Sequence, residues 1–167
     1  MKHTKRLLTW ILAVVLVVAS FALVACVDKP DAEQLDVTLP VLADNQMVVV
    51  VKNADDGFDV YTVTLGENGT AATTAEGVLN YLQQQGRLSV EWVNGEYGKY
   101  INSIGGAVPT AANEYIEVFT SVTADMGTWA GVSSYAIGDI LISSAAVGVT
   151  ELGVCAGAII YFQVSTY

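Results

Sequence analysis

QMVVVVKNADDGFDVYTVTL, residues 46–65, is the stretch of sequence that decides the fold. Met47–Val51 is a continuous apolar and β-branched run, which is typical of a strand buried on both faces. Asn53–Gly57 follows and ends in an Asp-Gly pair, whose residues tolerate positive φ and favour a turn. Apolar and polar side chains then alternate from Phe58 to Leu65, which indicates a second strand. The stretch therefore predicts a β-hairpin.

An amphipathic helix is predicted shortly after this hairpin. Thr73 and Glu76 have the spacing of a capping box at a helix start, and Gly86 is typical of the position after a helix end. Between them an apolar stripe recurs at helical spacing, formed by Ala75, Val78, Leu79 and Leu82. The pattern predicts one helix of about four turns that packs on a sheet.

The rest of the chain returns to the alternation of β-strands. Further strands are predicted at Leu88–Trp92, Tyr100–Ile104, Ile116–Val122 and Ala158–Val164. The apolar stretch Ile140–Val149 fits either a strand or a loop. A hairpin, one helix and several strands predict a single α+β domain over residues 46–167. The expected architecture is β-grasp-like, a mixed sheet with one helix packed across a face.

The N-terminus resembles a bacterial lipoprotein signal. A basic start precedes the run Leu7–Ala25, which holds 19 uncharged residues. Leu23-Val24-Ala25-Cys26 resembles the lipobox, in which an apolar residue and small residues stand directly before a cysteine. A retained transmembrane anchor is the alternative, because such a run could marginally span a bilayer. The lipoprotein is favoured because the run ends in a thiol followed by acidic residues.

The domain organisation follows from this resemblance. Residues 1–25 are the expected signal peptide, and Cys26 is expected to be acylated and to become the mature N-terminus. Residues 26–45, which are acidic and contain two prolines, are expected to form a tether. The chain would then be held on the extracytoplasmic face of the cell membrane, with the lipid bilayer as a partner through Cys26.

Charge and residue usage exclude several classes of function. Residues 26–167 contain four basic and 17 acidic residues, a formal charge of −13, so nucleic acid is not a predicted partner. The single histidine, His3, lies in the signal, and after acylation Cys155 is the remaining thiol. Histidine-based catalysis, histidine metal ligands and an intrachain disulfide are therefore not expected. We predict that the protein is not an enzyme and has no metal or cofactor.

Three stretches resemble a known family: MVVVVKNADDGFDVYTVTLGENGTAATTAEGVLNYL (47–82), EYGKYINSIGG (96–106) and AIIYFQV (158–164). They are similar to the bacterial domain-of-unknown-function family related to the C-terminal domain of transcobalamin. The most specific part is the Gly-x-Tyr-Ile-x-Ser-Ile pattern from Gly98 to Ile104. Members are commonly secreted or lipid-anchored, and in the vertebrate relatives this domain covers one side of cobalamin. The resemblance implies a ligand-binding role, with a corrinoid as the named ligand.

Aromatic residues near turns are the candidate ligand contacts. Their faces could hold a flat molecule such as a corrin, or a sugar ring, while a few polar groups fix its orientation. Trp129 is the strongest of them because it lies in a Gly-Thr-Trp-Ala-Gly loop, and loops often carry function. For Trp92, and for Tyr115 near a turn of the same half of the chain, the alternative is an ordinary position in the sheet core. The candidate contacts are Trp92, Tyr97, Tyr100, Asn102 and Trp129.

Together these features predict a membrane-anchored extracytoplasmic lipoprotein with a non-enzymatic domain that binds a small molecule, with a cobalamin-like corrinoid named. The alternative is a structural or protein-interaction module in a cell-surface assembly or adhesin, because exposed sheet edges can pair with strands of a partner.

Overall fold

β-Strands dominate the part of the chain that the structure, a computed structural model, describes, namely residues 32–95 and 98–167. In chain order the elements are β1 Glu33–Gln34, β2 Gln46–Lys52, β3 Phe58–Thr64, α1 Ala75–Gln84, β4 Val90–Gly95, β5 Gly98–Ile104, β6 Glu114–Thr120, a 3-10 helix Thr123–Asp125, β7 Ser134–Ile137, β8 Ile140–Ser144 and β9 Ile159–Thr166. Seven strands form one curled, mixed sheet in the order β1-β7-β8-β6-β9-β2-β3. β4 and β5 form a separate two-stranded sheet.

The hairpin predicted over residues 46–65 is confirmed as the antiparallel pair β2–β3. β2 lies between β3 and β9, and each residue of Met47–Val51 has 0% exposure. In the turn, the side-chain oxygen of Asn53 accepts hydrogen bonds from the amides of Asp55 (3.1 Å) and Gly57 (3.0 Å). These bonds hold Asp56 at a φ of 59°, the left-handed region that short polar residues tolerate.

The predicted helix is confirmed, with a different start and a shorter length. α1 has 10 residues rather than about four turns. Its N-cap is Thr74 and not Thr73, since the Thr74 hydroxyl accepts the amide hydrogen of Gly77 at 3.4 Å. Gly86 follows the helix with a φ of +67°, as expected of a residue after a helix end. All four stripe residues are buried, namely Ala75, Val78, Leu79 and Leu82.

The two faces of the large sheet are covered by different elements. Helix α1 and the β4–β5 hairpin pack on one face, around residues such as Val49, Val51 and Phe162. The other face is a second core built on Val48 and Val50 of β2. Its other fully buried residues are Phe119, Ile137, Ile142, Ile159 and Tyr161.

Residues 32–42, the first described residues of the segment predicted as a tether, pack against the second core. β1 pairs in parallel with β7, and the amide of Leu35 donates to the carbonyl oxygen of Ala136 at 2.8 Å. The apolar residues that follow pack against the second core while remaining partly exposed, namely Leu35, Val37, Leu39 and Leu42. Residues 32–42 therefore complete a face of the sheet.

The expected β-grasp α+β architecture is wrong. About 45% of the described residues are in strands and 10% are helical, and α1 covers only part of one sheet face. Two strands were not predicted at all, β1 and β7, while Ile140–Ser144 of the ambiguous stretch is strand β8. β9 pairs in parallel with β2 and antiparallel with β6. Side-chain periodicity carries no information about such long-range pairing, so a hairpin followed by one helix does not by itself specify a β-grasp fold.

The Glu114 side chain forms hydrogen bonds with residues 110 and 111, in the turn that precedes β6, and makes a pH-dependent contribution to the stability of the fold. Its Oε2 accepts hydrogen bonds from the Thr110 amide (2.6 Å), the Thr110 hydroxyl (3.1 Å) and the Ala111 amide (3.0 Å). The two backbone bonds, chiefly that of Thr110, lower the pKa of Glu114 below its ordinary value of 4.5. Because the folded pKa lies below the unfolded one, the contribution is present above pH 4.5 and is lost as pH falls through the folded pKa.

We therefore expect Glu114→Gln to lower the free energy of unfolding at neutral pH, and the difference from wild type to shrink in acid. Urea unfolding at about pH 7 and about pH 3 measures this difference. Glu67→Gln is the control, because Glu67 is exposed and makes no side-chain hydrogen bond within the described residues. An equal difference at both pH values would show that the ionised carboxylate does not matter.

Candidate functional site

Trp92 is a packing residue of the β4–β5 hairpin. It is half-buried and packs against the core cluster under α1. The ammonium group of Lys99 lies 4.4 Å from the centroid of its ring and also pairs with Glu76 of α1 at 2.6 Å. The indole nitrogen is buried and has no hydrogen-bond partner among the described atoms. The position matches the sheet-core alternative better than a ligand contact.

Tyr100 and Asn102 lie on the exposed side of the same hairpin. Tyr100 is 52% exposed, and its ring lies over Gly95, where an added Cβ would be 2.9 Å from Cε1. Asn102 donates to Glu91 Oε2 at 3.0 Å, and Ser103 donates to the same oxygen at 3.1 Å. Neither Tyr100 nor Asn102 lines the three cavities described below.

Two further predicted residues cannot be placed. Tyr97 and the acylation site Cys26 both lie outside the described residues.

Trp129 lies apart from the hairpin, in the loop between the 3-10 helix and β7, and is 52% exposed. The loop is fixed to the end of β8, since the Gly127 amide donates to the Ser144 carbonyl oxygen and the Ala146 amide to that of Asp125, each at 2.7 Å. The indole ring lies across Gly127, where an added Cβ would be 2.3 Å from two ring carbons. The glycine is therefore what allows the ring to lie in this position.

Trp129 borders a shallow cavity of about 240 Å³ at the edge of β6, which we call the Trp129 cavity. The cavity exists because β8 pairs with β6 only at Phe119 and Thr120, whereas β9 pairs with the full length of β6. The first residues of β6 are thus left as an open sheet edge. The lining residues are Tyr115, Ile116, Glu117, Val118, Trp129, Ser144, Ala145 and Val147.

The polar groups of the Trp129 cavity are few and well oriented. One oxygen of Glu117, Oε1, accepts a hydrogen bond from the Ser144 hydroxyl. Tyr115 is 39% exposed, and its ring packs against that of Tyr167 with centroids 6.1 Å apart. Burial raises the pKa of Tyr115, and the neighbouring Glu117 charge raises it further. Tyr115 therefore stays neutral and can donate a hydrogen bond.

Two other cavities have fewer unpaired polar groups or aromatic side chains that could contact a ligand. One of about 240 Å³ lies beside the β2–β3 turn, and its charged groups are already engaged, with Lys52 paired to Asp56 at 3.0 Å and Glu114 bonded to its own turn. Another of about 440 Å³ lies between residues 36–38 and the start of β3, with Phe58 as its one aromatic residue. The Trp129 cavity alone among the three combines exposed aromatic faces with an oriented carboxylate.

Within the described residues, no group of three or more histidine, cysteine, aspartate or glutamate residues is placed to hold a metal ion. In the same part of the chain, no helix has the length and apolarity needed to cross a membrane.

The sequence predicted Trp129 of this cavity as a ligand contact, favoured a core position for Tyr115 and gave no signal for Glu117. Of the candidate contacts only Trp129 lines the cavity. Tyr115 is one of the aromatic residues near turns, but its place in an alternating strand favoured a position in the sheet core. Glu117 was not a candidate, because alternation within a strand does not reveal that the neighbouring strand stops short. The early end of β8 after Ser144 is a property of the assembled sheet.

No family model matches the chain, and no curated protein matches it. A crystal structure from Ruminococcus gnavus ATCC 29149, described as that of "a putative metal binding protein", is similar to 74% of this chain and 98% of its own chain, at 14% sequence identity and a TM-score of 0.47. Similarity at this level assigns neither a family nor a function to the chain.

Proposed function

We propose that the protein is a lipid-anchored, extracytoplasmic binding protein that holds a small molecule in the Trp129 cavity and has no catalytic activity. The lipobox-like Leu23–Cys26 stretch supports the anchor. The observation that carries the binding role is the half-exposed Trp129 ring, fixed on Gly127 above a cavity that also contains Tyr115 and Glu117. The resemblance to the transcobalamin C-terminal domain makes a corrinoid the first ligand to test.

The rigidity of the Trp129 loop favours binding. Hydrogen bonds to β8 and to residue 146 fix the loop before any ligand arrives, so little further ordering is required on binding. A planar ligand that covers the indole face would remove apolar surface from water and gain ring stacking. The Ser144 hydroxyl and the Glu117 carboxylate are the polar groups that could set its orientation.

Trp129→Ala is expected to weaken binding of cobalamin or cobinamide by about tenfold, since losing about 1.4 kcal/mol of ring contact corresponds to that factor. The measurement is calorimetric titration of the full chain in detergent. Tyr100→Ala is the matched control, because Tyr100 has the same 52% exposure but lies on the β4–β5 hairpin. Loss of affinity in Tyr100→Ala alone would place the ligand on the hairpin instead.

A glycine pair tests the same site without removing the ring. Gly127→Ala is expected to displace the indole, because the new Cβ would lie 2.3 Å from two ring carbons. Gly148→Ala is the control, since its nearest neighbour would be 3.9 Å away. Equal affinity in these two variants would contradict binding at Trp129, and the absence of any binding at micromolar concentration would remove corrinoids as ligands.

A second candidate function is a protein-interaction module at the cell surface. The observation in its favour is β3, a seven-residue strand at the end of the large sheet, which offers an edge for a partner strand. Arg87 already engages part of this edge by donating to the Thr62 carbonyl oxygen at 3.1 Å. Affinity capture of one envelope protein, together with no small-molecule binding, would favour this function over the first.

A further inference from the structure

The Trp129 cavity is lined by negative charge and by no positive charge. Its lining consists of the aromatic side chains of Trp129 and Tyr115, the Glu117 carboxylate, the Ser144 hydroxyl and aliphatic or alanine side chains. Glu117 is the single charged residue in this lining, and no lysine or arginine belongs to it. A ligand that enters the cavity therefore meets negative charge and π-electron surface.

Glu117 is held in place with one oxygen available. The Ser144 hydroxyl donates to Oε1, which restrains that oxygen of the carboxylate. Oε2 has no hydrogen-bond partner among the described residues. Because Glu117 is partly buried, its attraction for a cation is stronger than that of a fully solvated carboxylate. Such an oxygen would receive an N–H group or face a quaternary ammonium.

The aromatic faces favour the same kind of ligand. The face of an indole or phenol ring is the negative end of its quadrupole, so a cation within about 6 Å of the ring centroid is attracted, most strongly by tryptophan. Trp129 is 52% exposed and Tyr115 is 39% exposed, so both rings are accessible. The formal charge of −13 on residues 26–167 adds a long-range field that concentrates cations near the domain.

We propose that the Trp129 cavity binds an organic cation, either a quaternary ammonium or a protonated amine, between the aromatic faces of Trp129 and Tyr115 and the carboxylate of Glu117. This inference rests on the proposed function, because it names the ligand class of the same cavity.

The first test compares two probes of the same shape that differ in charge. Choline and its neutral isostere, in which a carbon atom replaces the quaternary nitrogen, are titrated into the full chain in detergent at low ionic strength. Choline is expected to bind about tenfold more tightly than the isostere. The difference is expected to diminish as salt is added, since ions screen the carboxylate.

The second test removes the charge and keeps the shape. Glu117→Gln retains an oxygen that can accept from Ser144, and it is expected to weaken choline binding about tenfold while leaving the isostere unaffected. Glu91→Gln is the matched control, because Glu91 also accepts side-chain hydrogen bonds but lies on the β4–β5 hairpin. Urea unfolding of both variants establishes that they are folded.

The outcomes separate this inference from the proposed function. If choline and the isostere bind with equal affinity, or Glu117→Gln binds choline as tightly as Glu91→Gln does, the cation inference is overturned. In that case, a corrinoid affinity that still depends on Trp129 leaves the proposed function standing. If neither probe nor any corrinoid binds in a Trp129-dependent way, both fail.

Discussion

Replacing Cys26 with alanine is expected to abolish acylation of the protein completely. In the proposed lipoprotein the thiol of Cys26 is the group that receives the diacylglyceryl chain, and cleavage after Ala25 follows that step. Mass spectrometry of the native protein should therefore find a chain that begins at residue 26 and carries two or three acyl chains. The Cys26→Ala protein should retain residues 1–25 and carry none. Membrane fractionation alone is not decisive, because the uncleaved run Leu7–Ala25 could itself hold the variant in a bilayer.

Cys155→Ala provides the matched control for this experiment. Cys155 is the other cysteine of the chain and is exposed in the loop between β8 and β9. Its replacement should leave the acyl chains and the processed N-terminus unchanged. Since each buried methylene of an acyl chain contributes about 0.8 kcal/mol, two or three chains suffice for stable anchoring. A wild-type mass with residues 1–25 attached and an unmodified thiol would disprove the proposed anchor.

Phe119→Ala is expected to lower the free energy of unfolding by about 3–5 kcal/mol, a large part of the stability of a typical domain. Phe119 has 0% exposure, and its ring centroid lies 5.1 Å from that of Tyr135 and 5.5 Å from that of Tyr161. The void cannot close easily, because β6 is held in register by β9 along its full length. Urea denaturation should show a lower midpoint with an unchanged m-value.

Tyr100→Ala separates this core effect from the general loss of an aromatic ring. Tyr100 also lies on a strand, but it is 52% exposed, so its loss should change the free energy of unfolding by about 1 kcal/mol or less. If Phe119→Ala and Tyr100→Ala were equally stable, the second face of the sheet would not be a packed core.

The elements that follow from local patterning were predictable. The apolar run of β2, the alternation of β3 and the stripe from Ala75 to Leu82 each depend on neighbours within a few residues of one another. The order of the strands in the sheet was not predictable. The pairing of β2 with β9 joins residues more than 100 positions apart, such as Val50 and Tyr161. The predicted β-grasp architecture was wrong because it depended on this order of strands.

The sequence before β2 contains a pattern that indicates a packed segment, although the segment was predicted to be a tether. Leu35, Val37 and Leu39 alternate with polar residues, which is the pattern of an extended segment with one buried face. Two prolines and the acidic residues around them favoured a tether instead. For the candidate site, Trp129 could be found because a tryptophan between glycines in a loop is conspicuous. Tyr115 was interpreted as a residue of the sheet core, and the open edge that β8 leaves beside β6 places it and Glu117 at the cavity.

The central position of β9 has a consequence for the order in which the sheet assembles. β9 joins two groups of strands, β2–β3 on one side and β6, β8, β7 and β1 on the other. Until residues 159–166 have emerged, no strand pairing joins those groups, and the long separation of the paired strands makes closure of the sheet slow. For the export that the proposed lipoprotein requires, an incomplete sheet would keep the growing polypeptide open enough to be threaded through a translocation channel. The same delay leaves strand edges uncovered, so a holding chaperone is most useful before the final strand arrives.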